Sequence, residues 1–215
     1  MSGTETPAER VIIVGQGYVG LPLAVRAAEQ GYDVVGFDVD KAKIDLLASG
    51  SSYIEDIPDA RLGAVVASGR YRASADPADL AGFDIAVISV PTPLREGLPD
   101  LSYIESSAAV LGGHLKPGAC VILESTTYPG TTEEVVQPIL EQSGLALDTG
   151  FHLAFSPERI DPGNPTFGLR NTPKVVGGAT PASTRAAAEF YGTFIETVVT
   201  TRGTREAETA KLLEN

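Results

Sequence analysis

The strongest constraint on the fold is a short apolar stretch that runs directly into a glycine-rich turn. Four consecutive β-branched residues, Val11 to Val14, are typical of a strand buried on both faces. Gly15, Gly17 and Gly20 follow at G-x-G-x-x-G spacing, and the residues after them have helical composition. In such turns the first glycine permits the tight bend, the second lets a pyrophosphate approach the backbone, and the third lets the helix pack close to the strand. The pattern predicts a dinucleotide site with the pyrophosphate over the helix N-terminus.

An acidic residue at the end of the second predicted strand favours NAD over NADP. The stretch from Asp33 to Phe37 is typical of a strand, and Asp38 follows it, 18 residues after Gly20. A carboxylate at roughly this spacing accepts a hydrogen bond from a ribose 2′-hydroxyl, whereas it would repel a 2′-phosphate. We therefore expect NAD as the cofactor. The alternative interpretation is a nucleotide-free α/β turn in which Asp38 is a solvated strand end.

Composition and charge exclude several classes of protein. The 215 residues are 43% hydrophobic, which is enough for a full core, and they carry a net charge of −12. A nucleic-acid-binding surface needs a basic stripe, and the 16 Lys and Arg residues are scattered. No apolar run approaches the ~20 residues that span a bilayer. The start of the chain is too polar for a signal peptide. We expect a cytoplasmic protein without nucleic-acid or membrane partners.

Cysteine and metal-ligand patterns give two further expectations. The single cysteine, Cys120, excludes an internal disulfide framework. It lies in an apolar strand, where burial makes a thiol unreactive, so we expect it to be a core residue. No His, Cys and Asp cluster has ligand spacing, and no metal site is expected.

Strands and helices alternate along the chain, which predicts a Rossmann-type α/β fold: a doubly wound, mostly parallel sheet with helices on both faces. The predicted strands are 11–14, 33–37, 71–73, 85–90, 119–123, 152–155, 174–176 and 197–200. The predicted helices are 17–30, 40–48, 60–68, 102–111, 132–142, 181–194 and 206–215. Ser102 and Glu105 have capping-box spacing, and Asp100 is an alternative cap. Ligands of such sheets bind beyond the carboxyl ends of the strands, where residues 15–20, 89–93, 124–130 and 156–159 should meet.

The strand-end loops carry the motifs of a known family. The stretches GQGYVGLPLA, FDVDKAKIDLL, SYIEDI, SVPTPL, PDLSYIES, ESTTYPGTTEEVV, FSPERIDPGN, PKVVGG and EAETAKLLEN occur from residue 15 to 215. In these stretches the chain resembles the UDP-glucose/GDP-mannose dehydrogenase family, whose members oxidise a sugar 6-hydroxyl to a carboxylate with NAD. SPERIDPGN with NTPKVVGG is most similar to the UDP-N-acetylglucosamine 6-dehydrogenases. UDP-N-acetylmannosamine, UDP-glucose and GDP-mannose remain alternative substrates. The resemblance also implies a place in the synthesis of a cell-surface polysaccharide.

The resemblance implies roles for individual residues. Those implied to bind the cofactor are Gly15, Gly17, Tyr18, Val19, Gly20, Asp38, Lys43, Thr92 and Thr126. Glu158 would lie at the reacting carbon and, with Arg159, would contact the substrate. The residues implied in catalysis are Thr126 (holding a water near the hydroxyl), Glu158, and the oxyanion donors Lys211 and Asn215. On a helix, Lys211 and Asn215 stand at i and i+4 and so point the same way.

Each of these roles has a structural alternative. Thr126 and Thr127 could cap the following helix, and Glu158 could be a solvated loop acid. Lys43, Lys211 and Asn215 could be ordinary surface residues. Tyr53 could be a packing residue or a lid over the cofactor.

The chemistry also shows what the chain lacks. Forming an acid from an alcohol requires two hydride losses, most simply through a thiohemiacetal on a cysteine. Lysine and asparagine would then stabilise the oxyanion during hydrolysis of the thioester. The family's nucleophilic cysteine belongs to a Gly-Gly-x-Cys-Ile-Pro motif, which does not occur in these 215 residues.

We therefore expect a truncated dehydrogenase that is inactive alone and a homo-oligomer when full length. Residues 1–9 would be a disordered start, 10–203 the NAD-binding domain, and 204–215 the beginning of a central linking helix. The UDP-sugar domain would be absent. Two alternatives remain open: a stand-alone NAD-binding regulatory or interaction module, and a Rossmann dehydrogenase for β-hydroxy acids.

Overall fold

The computed structural model describes residues 8–95, 97–159 and 169–214, and these form the alternating strands and helices of an α/β fold. The strands are β1 (Arg10–Val14), β2 (Asp33–Phe37), β3 (Tyr71–Ser74), β4 (Ile85–Ile88), β5 (Leu94–Arg95), β6 (Leu98–Pro99), β7 (Cys120–Leu123), β8 (His152–Phe155), β9 (Lys174–Gly178) and β10 (Val198–Thr200). The α-helices are α1 (Gly20–Glu29), α2 (Lys41–Ala48), α3 (Asp59–Ala67), α4 (Ser102–Gly112), α5 (Gln137–Glu141), α6 (Pro181–Gly192) and α7 (Thr204–Glu214). A 3-10 helix at Pro77–Leu80 and a π-helical turn at Thr132–Val136 complete these elements.

Within the described residues, eight strands form one sheet in the order β10-β9-β8-β7-β4-β1-β2-β3. Neighbouring strands are parallel except β8 and β9, which are antiparallel, and β10 runs parallel to β9. The chain progresses in opposite directions from the middle of the sheet: through β2 and β3 on one side, and through β4, β7 and β8 on the other. In open α/β sheets the crevice at such a reversal is the usual ligand site. The predicted fold class is confirmed.

The core has two layers, one on each face of the sheet. Alternate residues of β1 point to opposite faces, so that Ile13 joins the cluster under α1 and α6, while Ile12 joins the cluster under α4. Both side chains are fully buried. This is the double burial that the β-branched run predicts. Cys120 is buried in the first cluster, as expected, and burial raises the pKa of its thiol to about 12.

Some predicted elements differ from the structure. The predicted helix 132–142 is a π-helical turn followed by the short α5. Pro138 explains this, since it has no N–H to donate to the carbonyl four residues earlier. The capping box of Ser102 and Glu105 is wrong: α4 begins with Leu101 at the N-cap, and the carboxylate of Asp100 accepts from the Ser102 N–H at 3.0 Å. The hairpin of β5 and β6 and the 3-10 helix were not predicted.

Several expectations lie partly or wholly outside the described residues. These are the disordered start, residues 160–164 of the FSPERIDPGN stretch, and Asn215. Among the residues that the structure does describe, no helix combines the length and apolarity that crossing a bilayer requires.

Candidate functional site

The glycine turn after β1 is packed tightly on one side and open on the other. Gly15 has a φ of +89°, and a Cβ there would lie 2.5 Å from the Ser89 carbonyl oxygen. At Gly20 a Cβ would lie 1.8 Å from the carbonyl oxygen of Gly15. The first and third glycines are therefore required by the bend and by the approach of α1 to β1. At Gly17 a Cβ would meet nothing within 4 Å, so this face of the turn has room for a ligand.

Buried polar contacts hold the turn from below. The Gln16 side chain is fully buried, donates from Nε2 to the Ile13 carbonyl at 2.8 Å, and accepts at Oε1 from the Tyr71 hydroxyl at 2.9 Å. The Tyr53 hydroxyl donates to the Gln16 carbonyl. Burial, with the nearby Asp38 and Asp40 carboxylates, raises the pKa of Tyr53 to about 12. Tyr53 therefore packs against the turn itself. No pattern in the sequence predicts that Gln16 anchors the turn.

Asp38 is held at the edge of this turn by main-chain donors. Its Oδ2 accepts from the Gln16 N–H at 2.9 Å, and its Oδ1 accepts from the Asp40 N–H at 3.0 Å. The side chain is 11% exposed, and the Lys43 ammonium lies 3.8 Å from Oδ2. Each carboxylate oxygen can accept a further hydrogen bond. The carboxylate is thus oriented in advance and still able to accept from a ligand hydroxyl.

A cleft of about 390 Å³ runs from this turn along the carboxyl ends of the central strands. It brings together many of the residues singled out from the sequence: Gly15, Gly17, Tyr18, Val19, Asp38, Lys43, Thr92, Thr126 and Glu158. Gly20 lies beneath the turn instead. A second recess of about 440 Å³ shares Asp38 and Lys43 with the cleft and is lined on its inner side by apolar residues such as Phe37 and Leu80.

The loops after β4 and β7 are bonded to each other across the cleft. The Thr92 hydroxyl donates to the Thr126 carbonyl at 2.7 Å, and the Ser125 hydroxyl donates to the Val90 carbonyl at 2.8 Å. The Thr126 side chain is exposed to the cleft, while the Thr127 hydroxyl donates to that of Thr131 at 2.5 Å. Neither threonine caps the following helix, which removes that alternative.

Glu158 is held by its side chain and by its main chain. Its Oε2 accepts from the Lys174 ammonium at 3.1 Å, and its Oε1 accepts from the Arg159 N–H at 2.8 Å. The Lys211 ammonium, from α7, donates to the Glu158 carbonyl at 2.7 Å. Lys211 therefore reaches the site. The Arg159 guanidinium donates to the Pro173 carbonyl at 3.2 Å, and this residue is not among those that line the cleft.

Beneath Glu158 lies a buried charge cluster that the sequence analysis missed. Lys174, at the start of β9, is hydrogen-bonded to Glu124 at the end of β7, and the Tyr191 hydroxyl donates to Glu124 Oε2 at 3.3 Å. Burial raises the pKa of the Glu124 carboxyl to about 7, although the Lys174 ammonium opposes this. Burial disfavours the Lys174 ammonium as well, but Glu124 and Glu158 outweigh that effect and raise its pKa. One possible signal was a lysine opening an otherwise apolar strand in PKVVGG.

The comparison with known families agrees with this geometry. Residues 9–195 match the model of the UDP-glucose/GDP-mannose dehydrogenase family, NAD binding domain. The chain belongs to this family. The predicted family and the predicted cofactor, NAD, are confirmed. The family is one of dehydrogenases, and the part of it that this chain matches is the NAD-binding domain.

Curated relatives come from the same family. The chain is 35% identical over 207 residues to UDP-N-acetyl-D-mannosamine dehydrogenase of Pyrococcus horikoshii, covering 96% of this chain and 50% of the relative. It is 36% identical over 214 residues to UDP-N-acetyl-D-glucosamine 6-dehydrogenase of Pseudomonas aeruginosa, covering 96% of this chain and 49% of the relative. The chain therefore spans about half the length of the curated relatives that it matches.

Solved structures agree with the fold in detail. UDP-D-ManNAc dehydrogenase from Pyrococcus horikoshii superposes with a TM-score of 0.91 at 36% identity, covering 95% of this chain and 49% of that one. A ternary complex of GDP-mannose dehydrogenase from Pseudomonas aeruginosa superposes with a TM-score of 0.88 at 28% identity. The match covers 96% of this chain and 49% of that one.

Proposed function

We propose that this chain is the NAD-binding half of a 6-dehydrogenase for a UDP-N-acetylhexosamine, with UDP-N-acetylglucosamine as the first candidate. Such an enzyme oxidises the sugar C6 hydroxyl to a carboxylate with two NAD. The observation that carries the proposal is the single cleft in which the glycine turn, Asp38, Thr126 and Glu158 meet. The match to relatives named for UDP-N-acetylglucosamine and UDP-N-acetylmannosamine supports the substrate class.

NAD fits the cleft in one direction. Its pyrophosphate would lie over Gly17, where the turn is open, and near the main-chain N–H groups that begin α1. The adenosine ribose would bond to Asp38, and the adenine would enter the apolar recess beside it. The nicotinamide end would then reach Thr92 and Thr126. Bound there, NAD supplies the hydride acceptor.

The chain's own residues would prepare the sugar hydroxyl. The Thr126 hydroxyl would hold a water beside it, and the Glu158 carboxylate would lie at the reacting carbon. The Lys211 ammonium, which lies on the Glu158 carbonyl, would stabilise negative charge on the substrate oxygen, with Asn215 as its proposed partner. Arg159 remains a proposed substrate contact, which would require its guanidinium to leave the Pro173 carbonyl.

The proposed division of the chain follows from α7. Residues 10–203 would form the cofactor domain, and 204–215 would begin a helix leading to the rest of the enzyme. The nucleophilic cysteine would come from that further part, together with the contacts that make the enzyme a homo-oligomer. The proposed boundary marks where α7 begins; the helix itself is bonded to the loops around the cleft through Glu208 and Lys211.

Calorimetric titration of the 215-residue chain with NAD and NADP tests the cofactor site. We expect NAD to bind at least about tenfold more tightly than NADP, because Asp38 accepts from the ribose hydroxyl and repels the 2′-phosphate. Asp38→Ala should lower the affinity for NAD and reduce the difference between the affinities for NAD and NADP. The matched control is Asp45→Ala, which removes an exposed carboxylate on α2 and should change neither affinity. No heat with NAD, or equal affinities in the unmodified chain, would contradict the proposal.

The sugar is tested separately. Without the UDP-sugar domain we expect only weak binding of the sugar, which saturation-transfer NMR can detect. On the NAD-loaded chain, with UDP-N-acetylglucosamine, UDP-N-acetylmannosamine and UDP-glucose in competition, the strongest transfer should be that of UDP-N-acetylglucosamine. Stronger transfer for either competitor would reassign the substrate. If calorimetry shows no heat with NAD while the NMR experiment still shows saturation transfer to a UDP-sugar, the chain would instead be a different kind of nucleotide-binding module.

A further inference from the structure

A cluster of three buried side chains lies under Glu158, and none of them has a part in the roles proposed above. Glu124 is 3% exposed, Lys174 is 4% exposed, and Tyr191 is fully buried. The Lys174 ammonium bonds to the Glu124 carboxylate and also lies 3.1 Å from Glu158 Oε2. It stands 5.1 Å from the centre of the Tyr191 ring, whose hydroxyl bonds to Glu124. Lys174 therefore bridges two residues of the cleft lining, the fully buried carboxylate of Glu124 and the partly exposed carboxylate of Glu158.

The antiparallel strand β9 is what brings Lys174 to this place. In its register with β8, Gly178 pairs with Ala154 and Gly177 with Phe155, and continuing that register puts Lys174 opposite Glu158. A parallel β9 would instead begin at the opposite edge of the sheet, away from the cleft. The same reversal brings the start of β9 to the edge of the sheet at which β7 ends, and Glu124 is the residue that follows β7.

The charges in this cluster are unequal. A buried ammonium is costly unless it is paired, and here one ammonium faces two carboxylates. A second cation, the Lys211 ammonium of α7, donates to the main-chain carbonyl of Glu158. The Glu158 carboxylate thus shares the Lys174 ammonium with Glu124.

We propose that Lys174 is a positioning residue, whose ammonium, anchored from below by Glu124 and Tyr191, fixes the carboxylate of Glu158 at the wall of the cofactor cleft. This inference rests on the proposed function, because the place of Glu158 matters to catalysis only if the cleft holds NAD and the sugar. Glu124 anchors the lysine, and Tyr191 closes the cluster against the core. The alternative is that Lys174 only neutralises Glu124 and has no influence on Glu158.

Carboxyl ¹³C NMR titration of the 215-residue chain without NAD separates these two roles. Removing a cation at this distance raises the titration midpoint of a carboxyl group by about 1–3 pH units. In Lys174→Met we therefore expect the midpoint of the Glu158 signal, assigned with Glu158→Gln, to rise by about one unit or more. Lys116→Met is the control, since its ammonium pairs with Asp84 at 2.6 Å and not with this cluster. It should leave the Glu158 midpoint unchanged.

If Lys174→Met changes the titration midpoint of the Glu124 carboxyl group but leaves that of Glu158 unchanged, the proposal is overturned. If Lys174→Met does not fold, the double variant Lys174→Met with Glu124→Gln decides instead. It removes the ammonium together with the buried carboxyl group that the ammonium neutralises, so the Glu158 midpoint should rise by about one unit or more. An unchanged or lowered Glu158 midpoint in that double variant would overturn the proposal. Calorimetry with NAD on the same samples tests the proposed function separately, because the titration needs no ligand.

Discussion

Replacing Glu208 by alanine should destabilise the chain more than any exposed charge change on the same helix. Glu208 lies on α7 and is fully buried. Its carboxylate accepts from the Gly130 N–H at 2.6 Å, from the Thr132 N–H at 2.9 Å and from the Thr132 hydroxyl at 2.6 Å. It therefore satisfies free donors at the start of the π-helical turn and ties α7 to the loop that carries Thr126.

The expected cost follows from these three donors. Each buried donor left without a partner costs about 1–3 kcal/mol. The variant also no longer has to desolvate a buried carboxylate, and this gain offsets part of the free-energy cost of the unpaired donors. We expect Glu208→Ala to lower the free energy of unfolding by about 3–5 kcal/mol. Glu208→Gln should lower the free energy of unfolding by roughly half as much. The amide oxygen can still accept hydrogen bonds, whereas the NH₂ group is itself a donor and would face the donors that the second carboxylate oxygen now satisfies.

Urea unfolding measures the loss, and amide hydrogen exchange at Gly130 and Thr132 locates it. The matched control is Glu206→Ala on the same helix, whose side chain is 47% exposed and lies 3.8 Å from Arg202. That change should stay within about 0.5 kcal/mol of the unmodified chain. A Glu208→Ala variant within about 1 kcal/mol, with unchanged exchange at both amides, would refute the reasoning.

Two further predictions concern pH and packing. Glu124 has a folded pKa of about 7 against an ordinary 4.5, so between these values the folded chain keeps a proton that the unfolded chain has lost. The free energy of unfolding should therefore fall by up to about 3 kcal/mol as pH rises through this window, and Glu124→Gln should abolish that slope in urea unfolding at pH 5, 6 and 7. If the free energy of unfolding falls equally with pH in Glu124→Gln and in the unmodified chain, this prediction is wrong. Gly20→Ala should cost about 3 kcal/mol, since its Cβ would lie 1.8 Å from the Gly15 carbonyl oxygen; an unchanged melting temperature would show that the turn can shift.

The parts of the fold that the sequence predicted well depend on local patterns. The β-branched run before Gly15 is buried on both faces because the same residues serve both sides of a central strand. Gly15 is required by its φ of +89° and Gly20 by the approach of the Gly15 carbonyl, both within the turn itself, so their spacing could be interpreted without the rest of the fold. Asp38 follows the adjacent parallel strand, which places it at the same edge of the sheet.

The parts that were missed depend on distant residues. Lys174 meets Glu124 only because β9 reverses direction, and no local pattern in PKVVGG distinguishes a parallel strand from an antiparallel one. Glu208 is buried because α7 returns against the loop after β7, some 76 residues from Thr132 in the chain. Its place in EAETAKLLEN resembles an ordinary polar helix face. Buried polar groups whose partners lie far away in sequence therefore escape periodicity arguments.

Gly17→Val tests whether the glycine turn holds the dinucleotide. A side chain at Gly17 meets no protein atom within 4 Å of its Cβ, so the variant should keep its melting temperature within about a degree of the unmodified chain. It should nevertheless lose NAD binding in a calorimetric titration, because the side chain fills the space where the backbone must approach the pyrophosphate. A folded Gly17→Val chain that binds NAD with unchanged affinity would contradict the account.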